Sequence, residues 1–224
     1  MVSWTSFIAK NITYYKFESA HVLTSSIDYN FYKLNKKIMY VTIMAIGSNH
    51  MKDVIYAFDL YLFEKKLRFD AVVIGGAALI IMDVVSRKTK DIDCLDPEIS
   101  EEVKKASIDF SNDHPSFRLS TDWLNNGPID LKRALPSKWQ LRLTPIFNGK
   151  AIHFTTLGRS DLIKSKLFAC VDRGIDFDDC VNLKITSEEF FQSYDWVCDQ
   201  DANPLWSKQV DLVFNKLKKA LGHE

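Results

Sequence analysis

Val72–Asp96, VVIGGAALIIMDVVSRKTKDIDCLD, is the stretch whose reading decides the fold. It opens on a short apolar run, AVVIGG when Ala71 is included, that has the length of a buried strand and ends on Gly75 and Gly76. AALIIMDVV follows with the length and composition of a short packed helix. DIDCL then alternates polar and apolar residues, the mark of a second strand. The order is therefore strand, glycine pair, helix, and a returning strand that carries Asp91 and Asp93.

Each pair has a chemical reading and a bland one. A glycine pair where a strand turns into a helix leaves backbone N–H groups unpaired, and the missing side chains let a phosphate oxygen approach them. The same glycines also serve close helix-to-strand packing. Residues two apart on a strand point to one face with Cα atoms about 6.5–7 Å apart, so Asp91 and Asp93 suit one divalent ion. Mg²⁺ takes one or two carboxylates and completes its shell with phosphate oxygens and water. An edge strand with a solvated acidic face would show the same D-x-D.

Outward from this stretch the chain is regular on both sides. MKDVIYAFDLYLFEKKL, from Met51, places Val54, Ile55, Phe58, Leu62 and Phe63 on one helical stripe. EISEEVKKASIDF reads as a surface helix with acids early and lysines late. Residues 111–150 hold four of the six prolines, Pro115, Pro128, Pro136 and Pro145, with Gly127 and Gly149, and read as loops and short strands. AIHFTTL reads as a strand; Ser160 then caps DLIKSKLFACVDRG, which Gly174 closes. TSEEFFQSYDWVC is a helix capped by Thr186 or Ser187. In the last helix Asn203 caps, Pro204 takes the first position and Gly222 ends the turn.

Residues 1–50 lack such periodicity, although IMYVTIMAI (38–46) suits a short strand or a buried helical turn. The expected organisation is an accessory segment or over-extended start over 1–50, a core over 51–158 and a helical part over 159–224. The expected fold is α/β (α+β): a small mixed β-sheet flanked by helices, with a C-terminal helical extension.

Composition narrows the partners. The 29 basic and 29 acidic residues balance, so any contact with nucleic acid must come from a local patch rather than total charge. Four scattered cysteines with no C-x-x-C argue for reduced thiols rather than a zinc site or disulfide framework. No secretory signal and no apolar run of membrane-spanning length are present, so a cytoplasmic protein without a membrane partner is expected. A dinucleotide-binding reading fits less well, because GGAALI lacks the third glycine of G-x-G-x-x-G.

The apolar–Gly-Gly–helix–SRKTKDID pattern resembles the DNA polymerase β-type nucleotidyltransferase superfamily, whose signature joins a hydrophobic-G-[GS] to a D-h-[DE]. The spacing and the R-x-T-x-DID run look like its branch related to abortive-infection and type IV toxin–antitoxin nucleotidyltransferases. LGRSDLIKSKLFACVDRGIDFDDCVNL is similar to that branch's helical motif, and on it Lys166 matches the lysine, Arg173 the arginine, and Asp176 and Asp179 the two aspartates. The resemblance implies transfer of a nucleoside monophosphate from an NTP to an RNA end or a protein hydroxyl, with Mg²⁺ or Mn²⁺ on Asp91 and Asp93. It implies phosphates seated on Gly75 and Gly76, with Lys166 on the triphosphate. It also implies a possible cognate antitoxin or regulator.

Arg87 is expected to contact phosphate or to pair with Asp91. Asp176 and Asp179, three apart, share a helix face and either orient Lys166 and Arg173 or stand in solvent. The family often carries a third carboxylate on a later strand; Asp130 is the candidate here, with a turn residue after Gly127-Pro128 as its other reading. Trp123, Trp139 and Arg142 are candidates for an acceptor groove or for core. The alternative function is a non-catalytic member that binds nucleotide, RNA or a partner protein.

Overall fold

The amphipathic stripe read from Met51 forms helix α1, His50–Glu64, and buries Met51, Val54, Ile55, Phe58 and Leu62. Phe63 departs from the expectation. It is half exposed on the flank of the helix, where Lys150 lies over its ring. These positions come from a computed structural model, which describes residues 50–223. The strand or helical turn expected over 38–46, and the accessory segment over 1–50 but for its last residue, lie outside the described residues.

Five strands make one mixed sheet: β1 Phe69–Ile74, β2 Ile92–Asp96, β3 Leu124–Asn125, β4 Thr144–Asn148 and β5 Ile152–Thr156, in the order β3-β2-β1-β5-β4. β1 is central, and every residue of it except Asp70 is buried, as a strand covered on both faces requires. It runs antiparallel to β2 and parallel to β5; β2 pairs parallel with β3, and β4 antiparallel with β5. The expected mixed sheet flanked by helices is the observed fold.

Helix α2, Gly75–Ile81, begins on the glycine pair itself and ends four residues before the expected boundary. Helix α3, Glu101–Asp113, has Ser100 accepting from the Val103 N–H as its cap. Between them and α1, Phe58 meets Phe110 and Trp123 with ring centroids 5.1 Å apart in each case. Trp123 is fully buried and donates to Ser107 O at 3.1 Å; Trp139 is buried too. Both tryptophans belong to the core, and the acceptor-groove reading fails for them because no ring face is left for a base. The Arg142 guanidinium forks onto the buried carboxylate of Asp161 at 2.8 and 3.0 Å, and the rest of the side chain stays partly exposed.

After the short helix α4, Leu131–Ala134, and the β4–β5 hairpin come the C-terminal helices: α5 Arg159–Arg173, α6 Phe177–Asn182, α7 Ser187–Cys198 and α8 Trp206–Ala220. Gly158, not Ser160, stands at the cap of α5, and its absent side chain makes room for the Arg142 carbonyl. Gly174, at φ +70°, closes α5 as expected. Thr186 caps α7 in a reciprocal capping box with Glu189. α8 starts at Trp206, later than Pro204, because Asn203 turns the chain first by accepting from the Leu205 N–H at 2.9 Å. All four cysteines are free thiols, and among the described residues no helix is long and apolar enough to cross a membrane.

One buried acid ties α1 to the sheet. Asp59 accepts from the backbone N–H groups of Lys150, Ala151 and Ile152 at 3.0, 2.8 and 2.8 Å. Gly149 is glycine because a Cβ there would collide with this carboxylate. Removing the acid orphans three donors, each worth about 1.5–3 kcal/mol when bonded to a charged group and partly regained from water. Asp59→Ala is therefore expected to lose roughly 3–4 kcal/mol of stability in urea unfolding; a loss within error of zero would contradict the anchoring role.

Candidate active site

The glycine pair and the aspartate pair meet in space. Ile74 is the Cα partner of Asp93 across the β1–β2 ladder, so Gly75 follows directly beside that aspartate. Gly75 has φ +73°, a left-handed conformation that favours glycine, and a Cβ there would stand 2.8 Å from Asp93 Oδ2. A Cβ on Gly76 would lie 3.0 and 3.2 Å from the two terminal nitrogens of Arg87, and 3.3 Å from Thr89 Oγ1. The two glycines therefore let Asp93 on one side, and Arg87 with Thr89 on the other, approach the start of α2.

This geometry separates the two glycines by experiment. Alanine at position 75 costs about 1–2 kcal/mol for its left-handed backbone and also displaces the Asp93 carboxylate. At Gly76 the backbone is not left-handed and the neighbours are side-chain ends at 3.0–3.3 Å that need yield only a few tenths of an ångström, so Gly76→Ala is expected to melt within a few degrees of wild type. Gly75→Ala is expected to lose both stability and divalent-ion binding, measured by thermal melting and Mn²⁺ titration; equal behaviour of the two variants would contradict the assignment.

Asp91 precedes β2 and is exposed, taking a hydrogen bond from Thr89 Oγ1 at 3.0 Å. Asp93 is half-buried. Burial pushes its carboxyl above the ordinary carboxylate range, and the neighbouring Asp91 charge pushes it further; the Asn125 amide and the charges of Lys166 and Arg173 work against both. Asp93 thus lies between a like charge, Asp91, and the opposite charges of Lys166 and Arg173. Among the described residues no cluster of three or more His, Cys, Asp or Glu side chains is placed to hold a metal alone. An exposed Asp91 and a half-buried Asp93 nevertheless offer the hard oxygen donors that suit Mg²⁺ or Mn²⁺, which complete their shells with phosphate and water.

Behind this pair runs a connected chain of charges. Arg87 forks onto Asp179 through Nε at 3.0 Å and Nη2 at 2.9 Å, so it pairs with Asp179 and not with Asp91. Asp179 also accepts from Lys166 Nζ at 2.7 Å, and Lys166 donates to Asp176 at 3.0 Å. Arg173 completes the line at Asp176, 3.2 Å away. Lys166 and Asp179 are almost wholly buried, whereas the side chains of Arg87 and Arg173 are 47% and 58% exposed. Of the two readings of Asp176 and Asp179, the structure supports orientation of Lys166 and Arg173. Burial alone would raise the Asp179 carboxyl, but hydrogen bonds from Arg87 and Lys166 reverse the direction and hold it low.

Asp130 is not drawn into this assembly. It stands exposed before α4, paired with Arg133 at 3.6 Å, and no described contact joins it to Asp91 or Asp93. The residue beside the acid pair on the neighbouring strand is Asn125, the Cα partner of Asp93. Asn125 and Thr89 both escape sequence reasoning. Asn125 lies on a two-residue strand too short to show a period, and its only signal is its place in TDWLNN between two turns.

A mixed sheet whose central strand ends in Gly-Gly against the D-x-D of its antiparallel neighbour, with helix-borne Lys, Arg and Asp gathered at the same end, defines a nucleotidyltransferase-type α/β protein. The profile of a family described as "Nucleotidyltransferase of unknown function (DUF6036)" matches residues 49–198, and the chain belongs to that family. No curated protein and no solved structure matches it significantly.

Proposed function

We propose that the protein moves a nucleoside monophosphate from an NTP to an RNA end or a protein hydroxyl, using Mg²⁺ or Mn²⁺ held by Asp91 and Asp93. The observation that carries this reading is the contact of the Asp93 carboxylate with Gly75. It brings one acid of the D-x-D pair against the start of the glycine pair, which supports a shared ion and phosphate site. When bound, the ion neutralises triphosphate oxygens and eases departure of the leaving group.

The chain's own residues supply the rest. Gly75 and Gly76 present bare backbone to the phosphates, and Arg87 with Arg173 flanks them with partly exposed side chains. Lys166 spends two of its three ammonium protons on Asp176 and Asp179; almost wholly buried, it reaches the triphosphate by its charge, through the ion-pair line that ends at Arg87 and Arg173. In the transfer, an acceptor hydroxyl oxygen bonds to the α-phosphorus as the bond to the bridging oxygen breaks. Pyrophosphate departs with the electron pair, and the hydroxyl proton passes to solvent or to a carboxylate. The same proposal includes a cytoplasmic setting, a toxin–antitoxin or phage-defence system and a cognate regulator, on the resemblance of SRKTKDID and the Lys166 helix to that branch.

One observation favours a second reading. The position beside the acid pair holds an amide, Asn125, and Asp130 stands apart, so among the described residues no third acid stands on the neighbouring strand to accept the hydroxyl proton. A non-catalytic member that binds nucleotide, RNA or a partner, as an antitoxin or scaffold does, would need none. Incubation of the protein with each α-labelled NTP and separated RNA and protein fractions of a lysate decides between them. Metal-dependent labelling that disappears in Asp91→Ala/Asp93→Ala supports transfer; NTP binding without labelling under Mg²⁺ or Mn²⁺ supports the second reading.

A further inference from the structure

Asp93 is held from both sides along one row of the sheet. On the β1 side its partner is Ile74, followed by Gly75; on the β3 side its partner is Asn125. Paired residues on adjacent strands project to the same face, so the Asn125 side chain stands next to the carboxylate. The amide has a fixed sense. Its Oδ1 accepts the Gly127 N–H at 2.7 Å, and the close turn needs glycine, since a Cβ on Gly127 would come within 2.9 Å of that oxygen. With the oxygen engaged, the NH₂ end is the part with protons to give. Its contact with Asp122 O is long, 3.5 Å, and leaves donor capacity for Asp93.

We propose that Asn125 is the positioning residue of the metal seat: it donates to Asp93 from β3 and, being neutral, leaves the seat with two negative charges instead of three. This rests on the reading of Asp91 and Asp93 as ion ligands. An acid in the same row would offer a hard cation a third anionic oxygen, and affinity for such cations rises with ligand charge. The amide therefore keeps the ion weakly held until the phosphates of the nucleotide supply the missing charge.

Mn²⁺ titration followed by paramagnetic resonance of the free ion, with thermal melting of each full-length variant, tests the assignment. Asn125→Ala is expected to weaken Mn²⁺ binding about 10-fold or more, the range for groups that orient metal ligands. Asn125→Asp keeps an acceptor for the Gly127 N–H, loses the proton donated to Asp93 and adds a carboxylate. It is expected to bind Mn²⁺ more tightly than wild type, with a larger Mn²⁺-induced rise in melting temperature. A residue that only shapes the 125–127 turn predicts wild-type binding for Asn125→Asp, and that result overturns the proposal. So does wild-type affinity in a cooperatively melting Asn125→Ala; if that variant does not fold, Asn125→Asp alone decides. A wild-type isotherm that is unchanged by Asp93→Asn overturns the ligand reading itself, an outcome distinct from either.

Discussion

Asp93→Asn is expected to abolish nucleotide transfer, by on the order of 10³-fold or more, while the ligand-free protein becomes more stable. The first effect follows from removing an anionic ligand of an ion that is asked to supply several kcal/mol of charge stabilisation. The second follows from the raised Asp93 carboxyl. An acid whose folded pKa lies above its unfolded one binds its proton more tightly when folded, so stability falls as pH rises through that window and the deficit persists at neutral pH. The amide carries no charge to be buried or repelled by Asp91. Its melting temperature should therefore exceed the wild-type value at pH 7, and the advantage should shrink as pH falls into the ordinary carboxylate range. Added Mg²⁺ should raise the wild-type melt and leave the variant unchanged. A variant that melts lower than wild type at every pH would show that Asp93 is there for structure.

Lys166→Met is expected to produce the opposite pattern, a loss of stability and of function together. The methionine keeps the length of the side chain but leaves Asp176 and Asp179 buried with only Arg173 and Arg87 on their outer sides. Removing one partner from a buried ionic group costs about 3–5 kcal/mol, or on the order of 10 °C in melting temperature for a chain of this size. The pH dependence identifies the cause. The folded Asp179 carboxyl is held below its ordinary value, so the stability it contributes is present above that value and is lost as pH falls through the folded pKa. Once the acids are protonated they no longer need the ammonium. The gap between wild type and Lys166→Met should thus be widest near neutral pH and narrow in acid; a constant gap would mean that the lysine matters for packing alone.

The parts of this molecule that were legible in its sequence are those in which chemistry and element coincide over a few consecutive residues. Gly75 and Gly76 end an apolar run, and Asp91 and Asp93 open an alternating one, so the strand–helix–strand unit and its two polar pairs could be read together. Lys166, Arg173, Asp176 and Asp179 became legible through resemblance, because the spacing of a lysine on a helix says nothing about its partner. The pairing of strands distant in sequence is what local pattern withholds. Asn125 acquires its place only when β3 is laid beside β2, and Arg87 only when α6 is brought 92 residues back to meet it. Asp59 looks like any polar residue on the flank of an amphipathic helix, yet it is buried because a hairpin some 90 residues later turns three N–H groups toward it. Trp139 shows the reverse error, since an aromatic residue among prolines suggests a groove where packing made a core.

The most direct test of the central claim is a crystal structure of the protein with Mn²⁺ and a non-hydrolysable NTP, read by the anomalous signal of the metal. The account predicts one peak within coordination distance of carboxylate oxygens of both Asp91 and Asp93, with the triphosphate against Gly75 and Gly76. A metal peak elsewhere, or a nucleotide seated away from the glycine pair, would contradict it.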